Sequence, residues 1–306
     1  MQSLKITLKF LSPLGSLLQS DTIFGHFAWE LKYLKGEDGL KKLLDSFEKE
    51  PFIVFSDGFV KDTVCMPFLK PKGLKDAKEF ILKKDKKTDY YSKMKELKKA
   101  RFVKVEDWVF ADRLNLFDLY DFIEDEETSK GAIFIRNSVN RLSNNVQEGL
   151  YSTKEVFYKK PIDIYVKFAS DAITKEEIRE AFESIGKFGF GRDKSTGKGR
   201  FVVEAIEDNP KILQKKNSKH FISLSSGVYD ADCEIFYGKT FTKFGKHGGD
   251  LIFGNPFKNP AVLYKGGSVF KVNKTKEIYG RALKISNYNG HYHNAYMIPL
   301  FVDVEE

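Results

Sequence analysis

The chain has 306 residues, 42% of them hydrophobic and 31% charged, with a net charge of +8 and a pI of about 9.1. This is the composition of a soluble globular chain long enough for two domains and a large core. Two cysteines, Cys65 and Cys233, make neither a disulfide framework nor a four-ligand zinc site and read as reduced thiols.

No apolar run approaches the roughly 18 residues of a membrane span, and Lys9 and Pro13 interrupt the apolar residues at the start, unlike a signal peptide. A cytoplasmic protein is expected. The basic excess is uneven: residues 70–104 carry 14 Lys/Arg against five Asp/Glu, which reads either as a solvated helix face or as a surface for a polyanion. Six acids and no base lie between Asp118 and Glu127.

In chain order, Leu4, Ile6, Leu8 and Phe10 alternate with polar residues and predict a half-buried strand over Ser3–Phe10. Ser20 or Asp21 is placed to cap a helix with Ile23, Phe24, Phe27, Leu31 and Leu34 on one face, stopped by Gly36. Phe52–Phe55 reads as a strand, Pro67 and Pro71 mark irregular chain, and helical patches fall around Lys75–Lys84 and Ser92–Lys99. Val103–Phe110 reads as a further strand. Residues 111–155 are polar, lack a sustained period and read as an insertion.

Ile162–Phe168 predicts a strand by alternation and β-branching. Thr174 with Glu177 forms a capping box for a helix whose stripe is Ile178, Ala181, Phe182 and Ile185, with Gly186 at C′. A glycine-rich loop (186–200) and a strand over Arg200–Ile206 follow. The order β-α-β-β-α-β is ferredoxin-like, the order of RNA-recognition (RRM) domains, in which one sheet face is left open to bases. The expected fold class is α+β: two ferredoxin-like (RRM-like) domains, the first with a large thumb-like insertion. Residues 1–209 form the first domain, with the insertion at about 111–155, and 215–306 a second, degenerate, strand-rich one.

The loop sets Gly186, Gly189, Gly191, Gly197 and Gly199 among Lys187, Arg192, Lys194, Lys198 and Arg200. Glycine lets backbone N–H groups approach a phosphate, and the cations neutralise it. A P-loop is excluded because five residues separate Gly191 from Gly197 and Gly199 follows Lys198 where Ser or Thr is needed. A Rossmann fingerprint is excluded because the loop follows a helix rather than opening one. Nucleic-acid phosphate binding is favoured over a plain flexible loop.

Helix, glycine-rich loop and strand in this order resemble the signature of the RAMP superfamily, the repeat-associated RNA-binding subunits of CRISPR systems. Ser20-Asp21-Thr22-Ile23-Phe24-Gly25-His26 resembles the Ser-Asp-Thr-Leu-Phe-Gly segment of the fourth subunit of type III-A (Csm) complexes. Pro51-Phe52-Ile53-Val54-Phe55-Ser56-Asp57 is similar to that subunit's Pro-Phe-Leu-Leu-Ser-Asp strand, and Met66-Pro67 falls where it has Leu-Pro. Arg136-Asn137-Ser138-Val139-Asn140-Arg141-Leu142-Ser143 resembles its His-Asn-x-Ile-x-Arg-x-Thr segment, with Arg136 in place of His and Ser143 in place of Thr; Glu148-Gly149-Leu150-Tyr151 follows. Gly267-Ser268-Val269-Phe270 matches a Gly-Ser-Val-Phe near its C-terminus. The equivalent type III-B subunit shares this architecture.

The resemblance implies a non-catalytic subunit, without cofactor or metal, that holds the repeat-derived 5′ handle of a guide RNA in an antiviral effector complex. It implies two protein partners, the large polymerase-like signalling subunit and the backbone RAMP subunit. The expected RNA-binding residues are Ser20, Asp21, Thr22, His26, Arg136, Asn137, Asn140, Arg141, Gly189, Gly191, Arg192, Lys194, Ser195, Gly197, Lys198, Gly199 and Arg200. Arg136, Asn137, Asn140 and Arg141 are expected at the junction of handle and spacer.

The alternative is a metal-independent endoribonuclease that processes CRISPR precursor RNA with His26 or a C-terminal histidine as acid or base. His291 and His293 could ligate metal as an i, i+2 pair, but no third ligand is evident. An RRM-type protein outside CRISPR is a third reading. The acidic stretch and the aromatic segments Leu114–Phe117 and Phe253–Phe257 are expected to face a protein partner, with one copy of the chain per complex.

Overall fold

A computed structural model describes residues 1–70, 90–111, 113–124, 127–140, 142–215, 217–248, 256–286, 288 and 291–305, with the backbone alone at residues 90 and 146–148. The helical patch expected at Lys75–Lys84 lies outside the described residues, as does Pro71.

The alternating apolar residues at the start form β1 (Gln2–Phe10), and α1 (Ser20–Asp45) follows. Gly36 does not stop α1 but breaks it, with φ 75° and ψ 173°, and the helix resumes to Asp45. Ile23, Phe24, Phe27 and Leu31 are buried, whereas Leu34 is exposed and does not belong to the apolar face. Then come β2 (Ile53–Phe55), β3 (Phe59–Val60), β4 (Thr63–Cys65), α2 (Tyr90–Lys99) and β5 (Phe102–Lys104). The strand expected over Val103–Phe110 ends at Lys104. The Trp108 indole N–H donates to the Lys104 carbonyl at 2.7 Å, folding Asp107–Phe110 into a 3-10 turn.

The stretch expected as a periodless insertion contains a 3-10 turn (Leu116–Phe122) and a long hairpin, β6 (Ser129–Val139) and β7 (Val146–Tyr158). Neither face of most of the hairpin is buried, which is why no hydrophobic alternation marks it. Leu114, Leu116 and Phe117, expected at a partner surface, are core residues instead; Leu114 donates its N–H to the Asp303 carbonyl. In the acidic stretch, Asp118 completes a capping box with Asn115, Glu124 pairs with Lys160 at 3.5 Å, and Glu127 pairs with Lys159 at 2.5 Å. Residues 125–126 and 253–255 lie outside the described residues, while Phe257 is exposed.

The chain returns through β8 (Ile162–Phe168), α3 (Lys175–Phe188) and β9 (Phe201–Asp208). The capping box of Thr174 and Glu177 is present, and Ile178, Ala181, Phe182 and Ile185 are buried. Gly186 is not the C′ residue. It lies inside α3, where a Cβ would come within 2.3 Å of the Phe201 carbonyl, so glycine there allows helix and strand to touch.

The strands form an antiparallel sheet in the order β2-β8-β1-β9, with β3 also on β8. Leu4, Ile6 and Leu8 face α1 and α3, and the Phe55 ring lies 5.1 Å from Phe27 and 5.8 Å from Phe182. The opposite face is not the open platform of an RRM. Thr7, Asp163, Tyr165 and Lys167 are all buried there. Asp163 accepts from the Thr7 hydroxyl at 2.7 Å and the Asp62 amide at 2.9 Å, and the Lys167 ammonium donates to the Glu277 carbonyl at 2.8 Å.

The C-terminal part contains β10 (His220–Ser223), β11 (Cys233–Tyr237), β12 (Thr240–Lys243), β13 (Ala261–Tyr264), β14 (Val269–Val272), β15 (Tyr279–Leu283), β16 (His293–Met297) and β17 (Pro299–Val302). Four make an antiparallel sheet ordered β11-β14-β10-β17, and β12-β13 and β15-β16 form ribbons. Among the described residues of 215–306 there is no α-helix. Stacked rings of Phe221, Tyr279 and Phe270 fill its own small core. Ile222, Leu224, Ile298 and Leu300 instead join the core of the N-terminal part. The Tyr296 hydroxyl donates to the carbonyls of Phe47 and Glu48, fastening β16 to the end of α1.

Candidate nucleic-acid interface

The loop after α3 is a closed structure. At its neck, the Phe190 N–H donates to the Gly199 carbonyl at 2.9 Å, and the Gly199 N–H to the Pro13 carbonyl at 2.8 Å. Gly199 has φ +69°, and a Cβ there would lie 2.1 Å from the Phe190 oxygen, so only glycine permits this crossing. Gly197, at φ +86°, forms the exposed outer turn and has open space around it.

The four glycine amides expected to reach phosphates are committed within the chain. Gly189 donates to Ile185, Gly191 to the His26 Nε2, Gly197 to Lys194 and Gly199 to Pro13. Arg192 and Arg200 donate their amides to the hydroxyls of Ser16 and Ser12. The glycines thus shape the loop rather than offering donors. At its tip Lys194 and Ser195 lie in a short 3-10 turn (Lys194–Thr196) and both are exposed.

His26 couples α1 to this loop. Its Nε2 accepts the Gly191 N–H at 3.0 Å and its ring lies 4.6 Å from Phe190. Burial, then the nearby Lys194 ammonium, lowers its pKa to about 4. The imidazole is therefore neutral, with its acceptor nitrogen occupied.

Ser20 and Asp21 face inward. The N-cap residue is Gln19 rather than Ser20 or Asp21, although Asp21 Oδ1 accepts the Thr22 N–H of the first turn at 2.8 Å; the Ser20 N–H is satisfied from afar by the Asp57 carboxylate at 2.8 Å. Asp57 also accepts the amide and hydroxyl of Ser226, and burial pushes its carboxyl pKa up. The Ser20 hydroxyl donates to the Ser226 carbonyl at 3.1 Å. Asp21 is buried against Lys243 at 2.9 Å, with His293 Nε2 3.4 Å away. Lys243 also donates to Thr22, which is half-buried. The Ser-Asp-Thr segment thus holds the two parts of the chain together, a role sequence reasoning missed along with Asp57.

The hairpin docks on the loop through a residue the sequence did not mark. Glu155 on β7 is fully buried and accepts from Arg136 Nη2 at 2.5 Å and from Lys198 Nζ at 2.6 Å. Beside it, Arg192 Nη2 donates to the Lys154 carbonyl at 3.0 Å, and Leu14 and Val156 exchange both backbone hydrogen bonds at 2.9 Å. Asn137 is exposed where the ladder register slips. Asn140 closes the hairpin tip, its Oδ1 accepting the amides of Leu142 and Ser143. Arg141 lies outside the described residues. Ile133, Ile135, Leu142 and Leu150 stand 66–98% exposed along the arm.

The structure therefore brings His26, Gly191, Arg192, Lys198 and Arg136 together, with Lys194 and Ser195 at the loop tip. It leaves Asn140 at the hairpin end and Ser20 and Asp21 in the interior. Of the remaining histidines, His293 is buried and His291 exposed, its ring 5.8 Å from His247. Among the described residues, no group of three or more His, Cys, Asp or Glu is placed to hold a metal ion. No helix there is long and apolar enough to cross a membrane.

No family model matches the sequence. The chain is 22% identical over 218 residues to the CRISPR system Cms protein Csm4 of Thermococcus onnurineus (strain NA1), covering 71% of each. Its fold matches a chain of the Csm1–Csm4 cassette solved with AMPPNP, with a TM-score of 0.64, 15% identity and full coverage of both. It also matches a chain of the Csm3–Csm4 subcomplex of the type III-A CRISPR-Cas interference complex, with a TM-score of 0.59, 15% identity and coverage of 99% and 100%. The resemblance to the fourth Csm subunit read from the sequence is borne out: the chain is Csm4-like.

Proposed function

We propose that this chain is the subunit that anchors the 5′ handle of the guide RNA in a type III-A effector complex. The observation that carries the reading is the meeting of the glycine-rich loop and the hairpin base. Arg136 of the hairpin meets Arg192 and Lys198 of the loop at Glu155 and the Lys154 carbonyl, with Lys194 exposed at the loop tip, in a Csm4-like fold. Cations converging from two elements give the salt-dependent affinity that RNA backbone binding needs. Exposed apolar side chains on the hairpin supply surfaces for unstacked bases.

On this reading residues 1–209 and 215–306 are two ferredoxin-like halves, the second represented by its sheet. RNA lies along the loop and hairpin rather than on the first sheet, whose outer face is filled. The protein partners are those named in the matching complexes: a Csm1-type large subunit and a Csm3-type backbone subunit, with the assembly in the cytoplasm. The subunit is not the nuclease. His26, one of the histidines the cleavage alternative named, is half-buried, neutral and already accepts the Gly191 amide.

Co-expression with the products of adjacent genes tests this. Co-purification with both protein partners and a guide RNA, and contacts from Lys194 and Asn137 to the guide's 5′ end, are expected. Purification without RNA or either partner, or metal-free cleavage of repeat RNA by the chain alone, refutes it.

A further inference from the structure

Arg136 and Lys198 come from a hairpin strand and a loop far apart in sequence, yet both point at the same carboxylate. Glu155 binds them through different oxygens, Oε1 to Arg136 at 2.5 Å and Oε2 to Lys198 at 2.6 Å. The Glu155 side chain is 1% exposed, while those of Arg136 and Lys198 are 29% and 19% exposed. The carboxylate therefore lies behind the cations and they lie toward solvent. One N–H of the guanidinium and one of the ammonium are used here, leaving further donors on each. Lys198 is steadied from the side by the Phe134 ring, 5.6 Å from its Nζ.

Thr153 stands between them on the same face of the hairpin. It pairs with Phe134, two residues from Glu155 along β7 and two from Tyr151, the partner of Arg136. Thr153 is 7% exposed, and its hydroxyl oxygen, itself buried, has no hydrogen-bond partner among the described residues. Two oriented cations, one buried carboxylate and a spare hydroxyl leave a single net positive charge.

We propose that Arg136, Lys198 and Thr153 form a receptor for one phosphodiester of the bound RNA, with Glu155 as its positioning residue. A phosphodiester carries one negative charge and two free oxygens, matching the net charge and the pair of cations. Glu155 holds the two cations side by side before RNA arrives, so their ordering and mutual repulsion are met on folding rather than on binding. The inference rests on the RNA-binding reading and goes beyond it in naming one subsite and the acidic residue that organises it.

Glu155→Gln separates positioning from bulk charge by sign. The substitution makes the chain more positive, so unpositioned electrostatics tighten every RNA. Positioning instead predicts roughly tenfold weaker binding of the repeat-derived 5′ handle, with a shuffled RNA of equal length bound as before or tighter. The full-length chain is titrated with both labelled RNAs across a salt series, with thermal melting alongside. If the wild type prefers neither RNA, the handle reading itself fails. If it prefers the handle and Glu155→Gln binds that RNA as well as the wild type does, the subsite is refuted while the handle reading stands.

Arg136→Gln and Lys198→Gln keep the test open should Glu155→Gln not fold. Two cations on one phosphate predict that the double variant lowers the salt slope by about one, like either single variant. A slope lowered by about two places them on separate phosphates and overturns the proposal.

Discussion

Gly199→Ala tests whether the loop's glycines serve shape rather than phosphate approach. A Cβ at Gly199 would sit 2.1 Å from the Phe190 oxygen and 2.6 Å from its nitrogen, with φ at +69°. An L-residue in this left-handed region costs about 1–2 kcal/mol. Relieving the clash displaces the loop neck and strains or breaks the Phe190-to-Gly199 and Gly199-to-Pro13 hydrogen bonds. Each is worth about 0.5–1.5 kcal/mol net, so the total is roughly 2–5 kcal/mol. Gly197→Ala is the control: its φ of +86° is similar, but its Cβ meets nothing within 4 Å. Only the backbone cost of about 1–2 kcal/mol applies there. Urea denaturation of both variants measures the difference, with Gly199→Ala expected to be about 1–3 kcal/mol less stable than Gly197→Ala. Equal losses, or a larger one at Gly197, would refute the reasoning.

Asp57→Ala removes the acceptor shared by the Ser20 amide and the Ser226 amide and hydroxyl. A loss of roughly 3–4 kcal/mol in urea midpoint analysis is expected, and a loss under about 1 kcal/mol would contradict the network. His26 has a folded pKa of about 4 against an ordinary 6.5, so the unfolded chain binds more protons between these values. Stability should fall as pH drops from 6.5 to 4 and level below; His26→Gln should flatten part of that slope in thermal melts, with His293, also lowered to about 4, supplying another part. A profile superimposable on wild type would refute the assignment. Leu142→Ser and Ile135→Ser change side chains 98% and 72% exposed. Their stability should stay within about 0.5 kcal/mol of wild type, and a larger loss would mean the arm is packed in the free chain.

What the sequence revealed was local. The Thr174–Glu177 capping box and the apolar stripe of α3 are set by residues a few positions apart, and they were read correctly. The Ile162–Phe168 strand was legible because its alternation and β-branching fall within one segment. The hairpin was not, because both its faces meet solvent along most of its length and no burial imposes a period. Glu155 and Asp57 were invisible for a different reason. Their partners lie 19 and 43 residues away for Glu155, and 37 and 169 for Asp57, so only the folded chain reveals them as linchpins. The glycine-rich loop was found by composition, but its amides are used by Pro13, Ser16 and His26, which composition could not show.

The most direct test places a photo-crosslinking side chain at Lys194 on the loop tip, at Asn137 on the hairpin and, as a distant control, at Val262 on β13. Each variant is assembled with its partner subunits and a guide RNA labelled at the 5′ end, and the crosslinked nucleotides are mapped by primer extension. Handle anchoring predicts crosslinks from Lys194 within the repeat-derived 5′ segment and from Asn137 at its border with the spacer. Crosslinks from both positions confined to the 3′ half of the guide, or no more frequent than from Val262, would contradict it.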